Sequence, residues 1–508
     1  MDIVLLDGQS LTLGDVVRVA REGGRAEISA GAADRINKSR DYVDRVVEEG
    51  RVVYGVTTGF GDFAKISIAK EDTEALQLNL IVSHACGVGA HLSADVVRAV
   101  MLLRINALSR GFSGIRLSTL QTLTRMLNGG VIPAIPEKGS LGASGDLVPL
   151  AHMVLPLIGL GEAYYDGELV PGSLAMEKAG IAPVKLTAKE GLALINGTQV
   201  MTAIGSLALH DAINLLKLSD ISAAMTVEAQ NGITDAFLPD LHALRPHKGQ
   251  VDSAVNMLSI LKDSRRTSKM NEIRIQDAYS LRCVPQVHGA SKDAIGYVRE
   301  KVQTEINSVT DNPIILADKD VAISCGNFHG QPMALAFDFM AIAISEIANI
   351  AERRIERLVN PSLSGLSPFL TEHSGLCSGF MIAQYAAAAL VSENKVLSHP
   401  ASVDSIPSSA NQEDHVSMGT IAARKAAAVI ENARMVVAIE LLCAAQAIDL
   451  NKDLPLGKGT RAAYDVLRQA SPKVDQDREL YQDMAKIATL IDTNAIVNAV
   501  EQAVGPLR

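Results

Sequence analysis

The sequence contains no tryptophan, and its other aromatic residues are few: nine phenylalanines and nine tyrosines among 508 residues. Proteins that bind single-stranded nucleic acid or sugars on stacked aromatic platforms need more aromatic surface than this. Basic residues are also in the minority, because 47 Lys and Arg face 57 Asp and Glu, giving a formal net charge of −10. A nucleic-acid-binding protein presents a basic face, so the composition argues against such a partner.

Cysteine is scarce as well. The five cysteines show no C-x-x-C spacing, and they are Cys86, Cys283, Cys325, Cys377 and Cys443. A disulfide framework is therefore excluded, and zinc ribbons or thioredoxin-type redox chemistry have no support. We expect free, buried thiols in a reducing cytoplasm.

Long apolar runs are missing too. A membrane-spanning helix needs about 20 mostly apolar residues, whereas the most apolar stretches, 380–391 and 435–448, are shorter and contain polar residues. The N-terminus has no basic segment before its short apolar run, which argues against a signal peptide. We expect a soluble cytoplasmic protein with no membrane partner.

Three familiar cofactor motifs are absent: the G-x-x-x-x-G-K-[ST] phosphate loop, a G-x-G-x-x-G fingerprint after a strand, and the H-E-x-x-H zinc pair. The glycine pairs at 59–61 and 159–161 lack the strand-to-helix context of a nucleotide site. The eleven histidines are scattered, so no metal site is expected. An enzyme with this sequence would need chemistry that does not depend on a nucleotide, flavin or metal.

The pattern that is present is helical, and it predicts a mainly α fold. Val97, Met101, Ile105 and Leu108 form one stripe at helical spacing, between a capping Ser93 and a terminating Gly111. Residues 331–359 and 416–450 predict helices of about 30 residues, or about 45 Å. Both are apolar on most sides, so they must be buried on most sides. We expect a central bundle of long helices, shared between subunits.

Strand signals are few, and a soft boundary lies near residue 195. Residues 131–136 are interrupted by proline and are unsuited to a central strand, while 167–170 predict half of a small hairpin. Glycine and proline punctuate shorter elements before residue 195, and long helices dominate after it. We therefore predict an N-terminal part, 1–195, and a helical part, 196–508, that ends in peripheral helices.

The most unusual stretch, residues 139–146, surrounds one serine with small residues and precedes a predicted helix, 147–158. A glycine-rich capping turn, with Asp146 as the N-cap, is one interpretation. The other is chemical: if the backbone bends tightly, the Gly145 nitrogen can attack the Ala143 carbonyl carbon. Loss of water and of the Ser144 hydroxyl then leaves a 4-methylidene-imidazol-5-one, an electrophile made from the chain itself. Gly145 permits the bend, and a helix N-terminus would stabilise negative charge on the ring.

Ala143-Ser144-Gly145-Asp146 in this context resembles the signature of the aromatic amino acid ammonia-lyase family. Further motifs support the resemblance over nearly the whole chain, and they lie at residues 54–61, 83–87, 196–199, 276–283, 326–330 and 409–417. The resemblance implies a long-helix bundle of the fumarase/aspartase-like type and a homotetramer whose active sites are built from several subunits. The electrophile of residues 143–145 would be its only cofactor, with no external cofactor and no metal.

The resemblance also implies residue roles. Tyr54 would handle the β-proton, Tyr279 would support the electrophile, and Arg282 would bind the substrate carboxylate, as guanidinium groups do bidentately. Asn196 would hold the ring carbonyl and the substrate amino group. The remaining members of the predicted pocket are Gln276, Phe328 and Met381, each of which has an ordinary structural interpretation as a surface polar or core residue.

His84 and Glu413 indicate the substrate. An imidazole needs a donor and an acceptor at its two nitrogens, and Glu413 can accept the ring N–H while His84 meets the other edge. Family members that act on phenylalanine or tyrosine usually carry Gln in place of Glu413, since an unpaired carboxylate beside a phenyl ring is costly. The resemblance therefore implies release of ammonia from L-histidine to give trans-urocanate. A phenylalanine or tyrosine ammonia-lyase, an aminomutase, and a catalytically silent helical scaffold remain the alternatives.

Two positions depart from the pattern of the histidine-specific members. Thr57 stands where many of them have Asn, and Cys325 stands before Gly326 where a second Gly is common. Neither position carries a proposed catalytic group. The departures bear on the choice of substrate and leave the electrophile untouched.

Overall fold

The computed structural model describes residues 3–59, 68, 72–451 and 453–508. Its Cα packing divides the chain into two compact units that are interleaved along the sequence. Unit 1 comprises Met1–Leu207, Arg299–Asp338 and Pro400–Arg424, and unit 2 comprises Ala208–Val298, Phe339–His399 and Lys425–Arg508. The single boundary near residue 195 stays a prediction about the sequence, since the units are defined by packing rather than by chain order.

The described residues are mainly helical. The helices are α1 (Leu13–Arg21), α2 (Ala30–Glu48), α3 (Thr73–His84), α4 (Ala94–Leu108), α5 (Leu117–Asn128), α6 (Leu147–Leu157), α7 (Gly172–Lys178), α8 (Glu190–Ile195), α9 (Gln199–Ala229), α10 (Pro239–Ala243), α11 (Lys248–Ile260), α12 (Tyr279–Arg282), α13 (Val284–Glu305), α14 (Gln331–Val359), α15 (Pro361–Ser364), α16 (Met381–Leu397), α17 (Gly419–Leu450), α18 (Lys458–Ala470), α19 (Leu480–Asp492) and α20 (Ala495–Val504). Short 3-10 turns cover Thr234–Phe237 and Ala317–Lys319.

The described strands are short and all belong to unit 1. They are β1 (Ile3–Leu6), β2 (Arg25–Ile28), β3 (Val88–His91), β4 (Ile132–Pro133), β5 (Pro136–Lys138), β6 (Glu162–Tyr165), β7 (Glu168–Pro171), β8 (Ile314–Leu316) and β9 (Val321–Ile323). β1 and β2 pair in parallel, and β3–β5, β4–β6–β7 and β8–β9 pair antiparallel. The predicted hairpin at 167–170 is confirmed as β6–β7, and the proline-interrupted stretch forms only the short β4 and β5.

The long helices confirm the mainly α prediction. α14 has the predicted bounds, while α17 begins at Gly419 instead of residue 416. The reason is local: Met418 has a positive φ of 55°, and its N–H bonds the carbonyl of Leu141 at 3.2 Å instead of starting a helical turn. The later start leaves residues 416–418 free to pack against the serine-containing segment of unit 1.

α14 is, among the described residues, the one helix long and apolar enough by length and composition to cross a membrane. In its most apolar window, 67% of the residues are buried inside the protein, as in the core helix of a globular fold.

In unit 1, α4 lies in the core and buries its polar Arg104 as well as its apolar stripe. Ser93 occupies the N-cap position, as the sequence predicts, but its side chain makes no cap bond. A buried apolar cluster packs Ala143 against Val416 and Met418. One residue of the predicted electrophile segment is therefore part of the core of unit 1.

In unit 2, the core contains a buried polar network. Arg354 and Glu440 are fully buried and paired through two guanidinium nitrogens, and Glu440 also accepts bonds from Ser222 and Thr226 at 2.9 and 2.8 Å. Buried charges are tolerated only when they are paired and hydrogen-bonded in this way. The network links α9, α14 and α17 through buried polar side chains.

All five cysteines are free thiols. The expectation that they are buried is wrong for three of them, because only Cys377 and Cys443 are buried and Cys86 is exposed. For Cys443, burial raises the pKa of the thiol well above its usual range, which makes it unreactive.

Candidate active site

The serine-containing segment, 139–146, is bent and held on both sides within unit 1. Gly145 has a φ of 74°, and a side chain there would lie 2.1 Å from the carbonyl oxygen of Gly197. The next residue, Asp146, donates its N–H to that same oxygen at 2.7 Å. On the other side, the Ser417 hydroxyl donates to the carbonyl of Gly142 at 3.2 Å. Only glycine allows position 145 both its left-handed conformation and its close approach to residue 197.

Asp146 anchors this segment through its buried side chain. Its carboxylate is fully buried and accepts the backbone N–H groups of Val200 and Met201 at 2.9 and 2.8 Å, together with the hydroxyls of Ser140 and Thr420. Burial raises the pKa of Asp146, and the four hydrogen bonds oppose that rise.

The predicted capping role of Asp146 is therefore only partly right. The residue stands at the N-cap position of α6, but its side chain makes no cap bond there and instead caps α9. The positive end of α6 nevertheless begins directly after the segment, at Leu147.

Ser144 opens into a cavity of about 540 Å³ in unit 1. Five of the predicted site residues share this cavity: Tyr54, His84, Ser144, Asn196 and Glu413. The other described residues that line it are Gly59, Ile68, Leu76, Asn79, Leu80, Ser83, Leu147, Leu192, Ile195 and Ser409. Polar groups thus converge on one apolar-walled space, as in ordinary small-molecule sites.

Glu413 lies close to the serine. The Ser144 hydroxyl donates to one carboxylate oxygen, Oε1, at 3.1 Å, and the Ser408 hydroxyl donates to the other, Oε2, at 3.0 Å. The sequence separates Ser144 and Glu413 by 269 residues. The fold alone therefore brings the serine of the predicted electrophile into contact with the glutamate that is predicted to recognise the substrate.

His84 ends α3 at the rim of the cavity. Its Nδ1 lies 3.1 Å from the hydroxyl of Ser83, which in turn donates to the carbonyl of Leu80 at 3.1 Å. Burial lowers the pKa of the His84 imidazole, although the Leu80 carbonyl and the charge of Glu413 partly offset that effect. The ring is therefore neutral at neutral pH and can take part in hydrogen bonding without a charge of its own.

Asn196 follows α8 and is almost completely buried. Among the described residues, its side-chain oxygen Oδ1 has no hydrogen-bond partner. Such a buried acceptor is costly when it is left unpaired. Because Asn196 lines the cavity, this orphaned oxygen is available to accept a hydrogen bond from a bound molecule.

Tyr54 is carried by the turn at 51–59, half-buried at the cavity. Thr57 fixes this turn: its hydroxyl donates to the carbonyl of Arg51 at 2.7 Å and accepts the N–H of Val53 at 2.9 Å. The departure at position 57 thus has a structural explanation. The end of the motif, Phe60 and Gly61, lies outside the described residues, as does the second half of the glycine pair at 59–61.

Four other predicted residues, Gln276, Tyr279, Arg282 and Met381, belong to unit 2. The Arg282 guanidinium lies 4.8 Å from the centre of the Tyr279 ring, a cation–π contact within one helical turn. The buried Nε of Arg282 has no partner among the described residues. Gln276 precedes α12, which begins at Tyr279, so it does not share that helical turn with Tyr279 and Arg282.

The last predicted residue, Phe328, is half-buried in unit 1 just before α14 and is not among the described residues that line the cavity. Cys325, the second departure, bonds through its N–H to the side chain of Asn312 at 2.8 Å. This bond links the segment that follows β9 to the one that precedes β8, so the role of Cys325 in it is structural.

Sequence reasoning gave no role to Asn79, Ser83, Ser408 and Ser409, although Ser83 and Ser409 open the motifs at 83–87 and 409–417. A signal existed for the first two, because residues 76, 79, 80, 83 and 84 recur at helical spacing on α3 and so lie on one face. Ser408 carried no comparable signal, since a turn of left-handed residues, 409–411, brings it to Glu413.

Comparison with known proteins identifies the family of the chain. The sequence profile of the family described as aromatic amino acid lyase matches residues 11–469. A protein named histidine ammonia-lyase, from Alkaliphilus oremlandii, is 62% identical over 99% of both chains. Among solved structures, the histidine ammonia-lyase of Trypanosoma cruzi is 43% identical with a TM-score of 0.93, covering 99% of this chain and 96% of its own. A tyrosine aminomutase from Streptomyces globisporus is 38% identical with a TM-score of 0.96 over the whole of both chains.

A profile match over most of the chain, together with relatives this similar over its full length, shows that the chain belongs to the aromatic amino acid lyase family.

Proposed function

We propose that this protein is a carbon–nitrogen lyase that converts L-histidine to trans-urocanate and ammonia, a non-oxidative first step in histidine degradation. The observation that carries the proposal is the contact between Ser144 and Glu413 in a cavity that His84 also lines. The curated relatives at 58–62% identity, which are named histidine ammonia-lyase, support the same substrate.

The polar groups of the cavity suit an imidazole. A neutral imidazole offers one N–H donor and one nitrogen acceptor. Glu413 accepts the ring N–H, and His84 provides a second polar contact at the other edge. A phenyl ring offers no N–H to Glu413, which disfavours phenylalanine.

We infer that Ala143, Ser144 and Gly145 close into a 4-methylidene-imidazol-5-one. The left-handed Gly145 pressed against Gly197 and the open position of Ser144 in the cavity fit that group. Once formed, the ring supplies an electrophilic carbon that activates the substrate for loss of ammonia. No metal or external cofactor is part of the proposal.

The surrounding residues bind, orient and transfer protons. We assign the β-proton of the substrate to the hydroxyl of Tyr54, with Glu413 assisting proton transfer at the ring. The orphaned Oδ1 of Asn196 accepts an N–H of the substrate amino group. Arg282 binds the substrate carboxylate, and Tyr279 supports the electrophile.

The remaining assignments rest on the family resemblance. Gln276 hydrogen-bonds near the substrate, and Phe328 and Met381 form walls of the pocket.

We also propose a homotetramer with active sites built from several subunits, in the cytoplasm. The support is an apolar face on α14, where Leu335, Phe339 and Ile342 recur at helical spacing and are 49%, 43% and 43% exposed. Exposed apolar stripes of this kind are typical of interfaces. Light scattering on the purified protein should give four chain masses, and a single chain mass would contradict the assembly.

A pair of neighbouring substitutions tests the substrate. Glu413→Gln removes the acceptor for the ring N–H, so kcat/KM for L-histidine should fall by about 100-fold or more, since a charged hydrogen bond contributes about 1.5–3 kcal/mol and assistance in proton transfer is lost with it. The matched control is Asp414→Asn, which neutralises the adjacent exposed carboxylate and should change kcat/KM little. Loss of activity in the control alone, or turnover of phenylalanine or tyrosine in preference to histidine by the unaltered protein, would contradict the proposal.

A further inference from the structure

The carboxylate of Glu413 has two oxygens, and each has a different serine as donor. Ser408 donates to Oε2 at 3.0 Å, and Ser144 donates to Oε1 at 3.1 Å. All three side chains are only partly exposed and belong to unit 1.

Ser408 holds Glu413 through the backbone as well. The Ser408 N–H donates to the Glu413 carbonyl at 3.0 Å, and the Glu413 N–H donates back to the Ser408 carbonyl at 3.3 Å. Between them, Ser409, Ala410 and Asn411 all have left-handed backbones, with φ values of 51°, 52° and 70°. Left-handed residues other than glycine are unfavourable and persist only where the surroundings fix them. Ser408 therefore closes a strained turn, and this turn fixes the position of the Glu413 carboxylate.

Under the proposed function, the contact from Ser144 to Glu413 is lost when the electrophile forms, whereas the contact from Ser408 is kept. Closure of the electrophile removes the Ser144 hydroxyl as water, together with the hydrogen on its Cα, so Oε1 loses its donor. Ser408 takes no part in that closure, and its bond to Oε2 remains. Before closure, the Ser144 hydroxyl occupies the oxygen that a substrate ring N–H would use.

We propose that Ser408 is a positioning residue for substrate recognition: it holds Oε2 of Glu413 so that Oε1, freed by the loss of the Ser144 hydroxyl, faces the imidazole N–H. This inference rests on the proposed function and deepens it, because it adds the residue that orients the specificity carboxylate. It also makes maturation of the electrophile the event that opens the recognition site.

The test is made in a Ser144→Ala background, where no electrophile forms and no turnover interferes. Ser408→Thr and Ser408→Val are matched in shape and differ in one hydroxyl. Calorimetry with L-histidine should give nearly equal affinity for Ser144→Ala alone and for its Ser408→Thr derivative. The Ser408→Val derivative should bind about tenfold more weakly, as expected for loss of one hydrogen bond to a charged group.

A serine elsewhere in the same loop serves as the control. Ser402 engages its neighbours through its backbone N–H and carbonyl, which alanine keeps, so Ser402→Ala should leave histidine affinity unchanged. In the otherwise unaltered enzyme, Ser408→Val should raise KM for histidine more than it lowers kcat, and its intact mass should still show the loss of two waters.

Equal histidine affinity for the Val and Thr derivatives would overturn the inference, as would failure of the Ser144→Ala protein to bind histidine at all. Formation of urocanate by the unaltered protein separates these outcomes from failure of the proposed function. Urocanate formation together with equal affinities would refute the role of Ser408 alone, whereas absence of urocanate would refute the proposed function and with it the inference.

Discussion

The carboxylate of Asp146 accepts the backbone N–H of Met201 at 2.8 Å, across 55 residues of sequence. The bond ties the end of the predicted electrophile segment to the N-terminus of α9. Asp146→Ala would leave the buried N–H groups of Val200 and Met201 without their acceptor, and each unsatisfied buried group costs about 1–3 kcal/mol.

For Asp146→Ala we therefore expect a loss of about 3 kcal/mol in the free energy of unfolding. The intact mass should stay at the value of the unmodified chain, because the segment is no longer held in its bend. Denaturant unfolding and mass spectrometry provide the measurements, and Asp146→Asn should lose less stability because one acceptor oxygen remains. A fully modified, equally stable Asp146→Ala protein would contradict this account of the segment.

Gly145→Ala should also block electrophile formation. An added Cβ at this position would lie 2.1 Å from the Gly197 carbonyl oxygen, and the backbone φ of 74° is unfavourable for alanine. Either the bend or residue 197 must therefore move. The matched control is Gly296→Ala on α13, where no atom lies within 4 Å of the added carbon, and alanine should stabilise the helix by about 0.5–1 kcal/mol. Intact mass distinguishes the two variants, and a Gly145→Ala protein that lacks two waters would count against the proposed chemistry.

The buried Arg354–Glu440 pair gives a prediction about unit 2. Arg354→Ala leaves the Glu440 charge buried with only two hydroxyls as donors, so the free energy of unfolding should fall by about 3–5 kcal/mol. Arg461→Ala breaks an exposed pair with Asp465 and should cost less than about 1 kcal/mol. Thermal unfolding of both variants compares the two environments directly. Similar shifts for the two would argue against a buried network that stabilises unit 2.

The lowered pKa of His84 predicts a pH dependence of stability. Between its folded pKa and its ordinary value of 6.5, the folded state binds fewer protons than the unfolded state, so stability rises with pH across that window and is lost on acidification. His84→Gln should remove this contribution, and Glu413→Gln should extend the window to lower pH, because the Glu413 charge raises the pKa of His84. Unfolding midpoints measured from pH 7 downward test the sign. A His84→Gln protein with an unchanged acid slope would contradict it.

Much of the fold was predictable because periodicity is a local property. The stripe of α4 and the whole of α14 follow from the spacing of apolar residues. The start of α17 did not, because Ser417 and Met418 turn back and donate their N–H groups to the carbonyls of Gly142 and Leu141. Likewise, Gln276 precedes α12 instead of continuing its face, since Asp277 is held by the Ile233 N–H at 2.6 Å.

In the candidate site, too, some features could be predicted from the sequence and others depend on the fold. Ser144 and Glu413 could be singled out by residue type and motif, but their 3.1 Å contact depends on the fold. The second role of Asp146 as a cap for α9 depends on a contact between distant segments. The contact of the Ser408 hydroxyl with Glu413 depends on the left-handed turn at 409–411, and no local pattern records either feature.

The central claim is tested most directly by incubating the purified protein with L-histidine and no added cofactor. The account predicts equal amounts of trans-urocanate, followed by its ultraviolet absorbance, and ammonia, with both lost in Ser144→Ala. Formation of a β-amino acid, or turnover of phenylalanine or tyrosine with none of histidine, would contradict it.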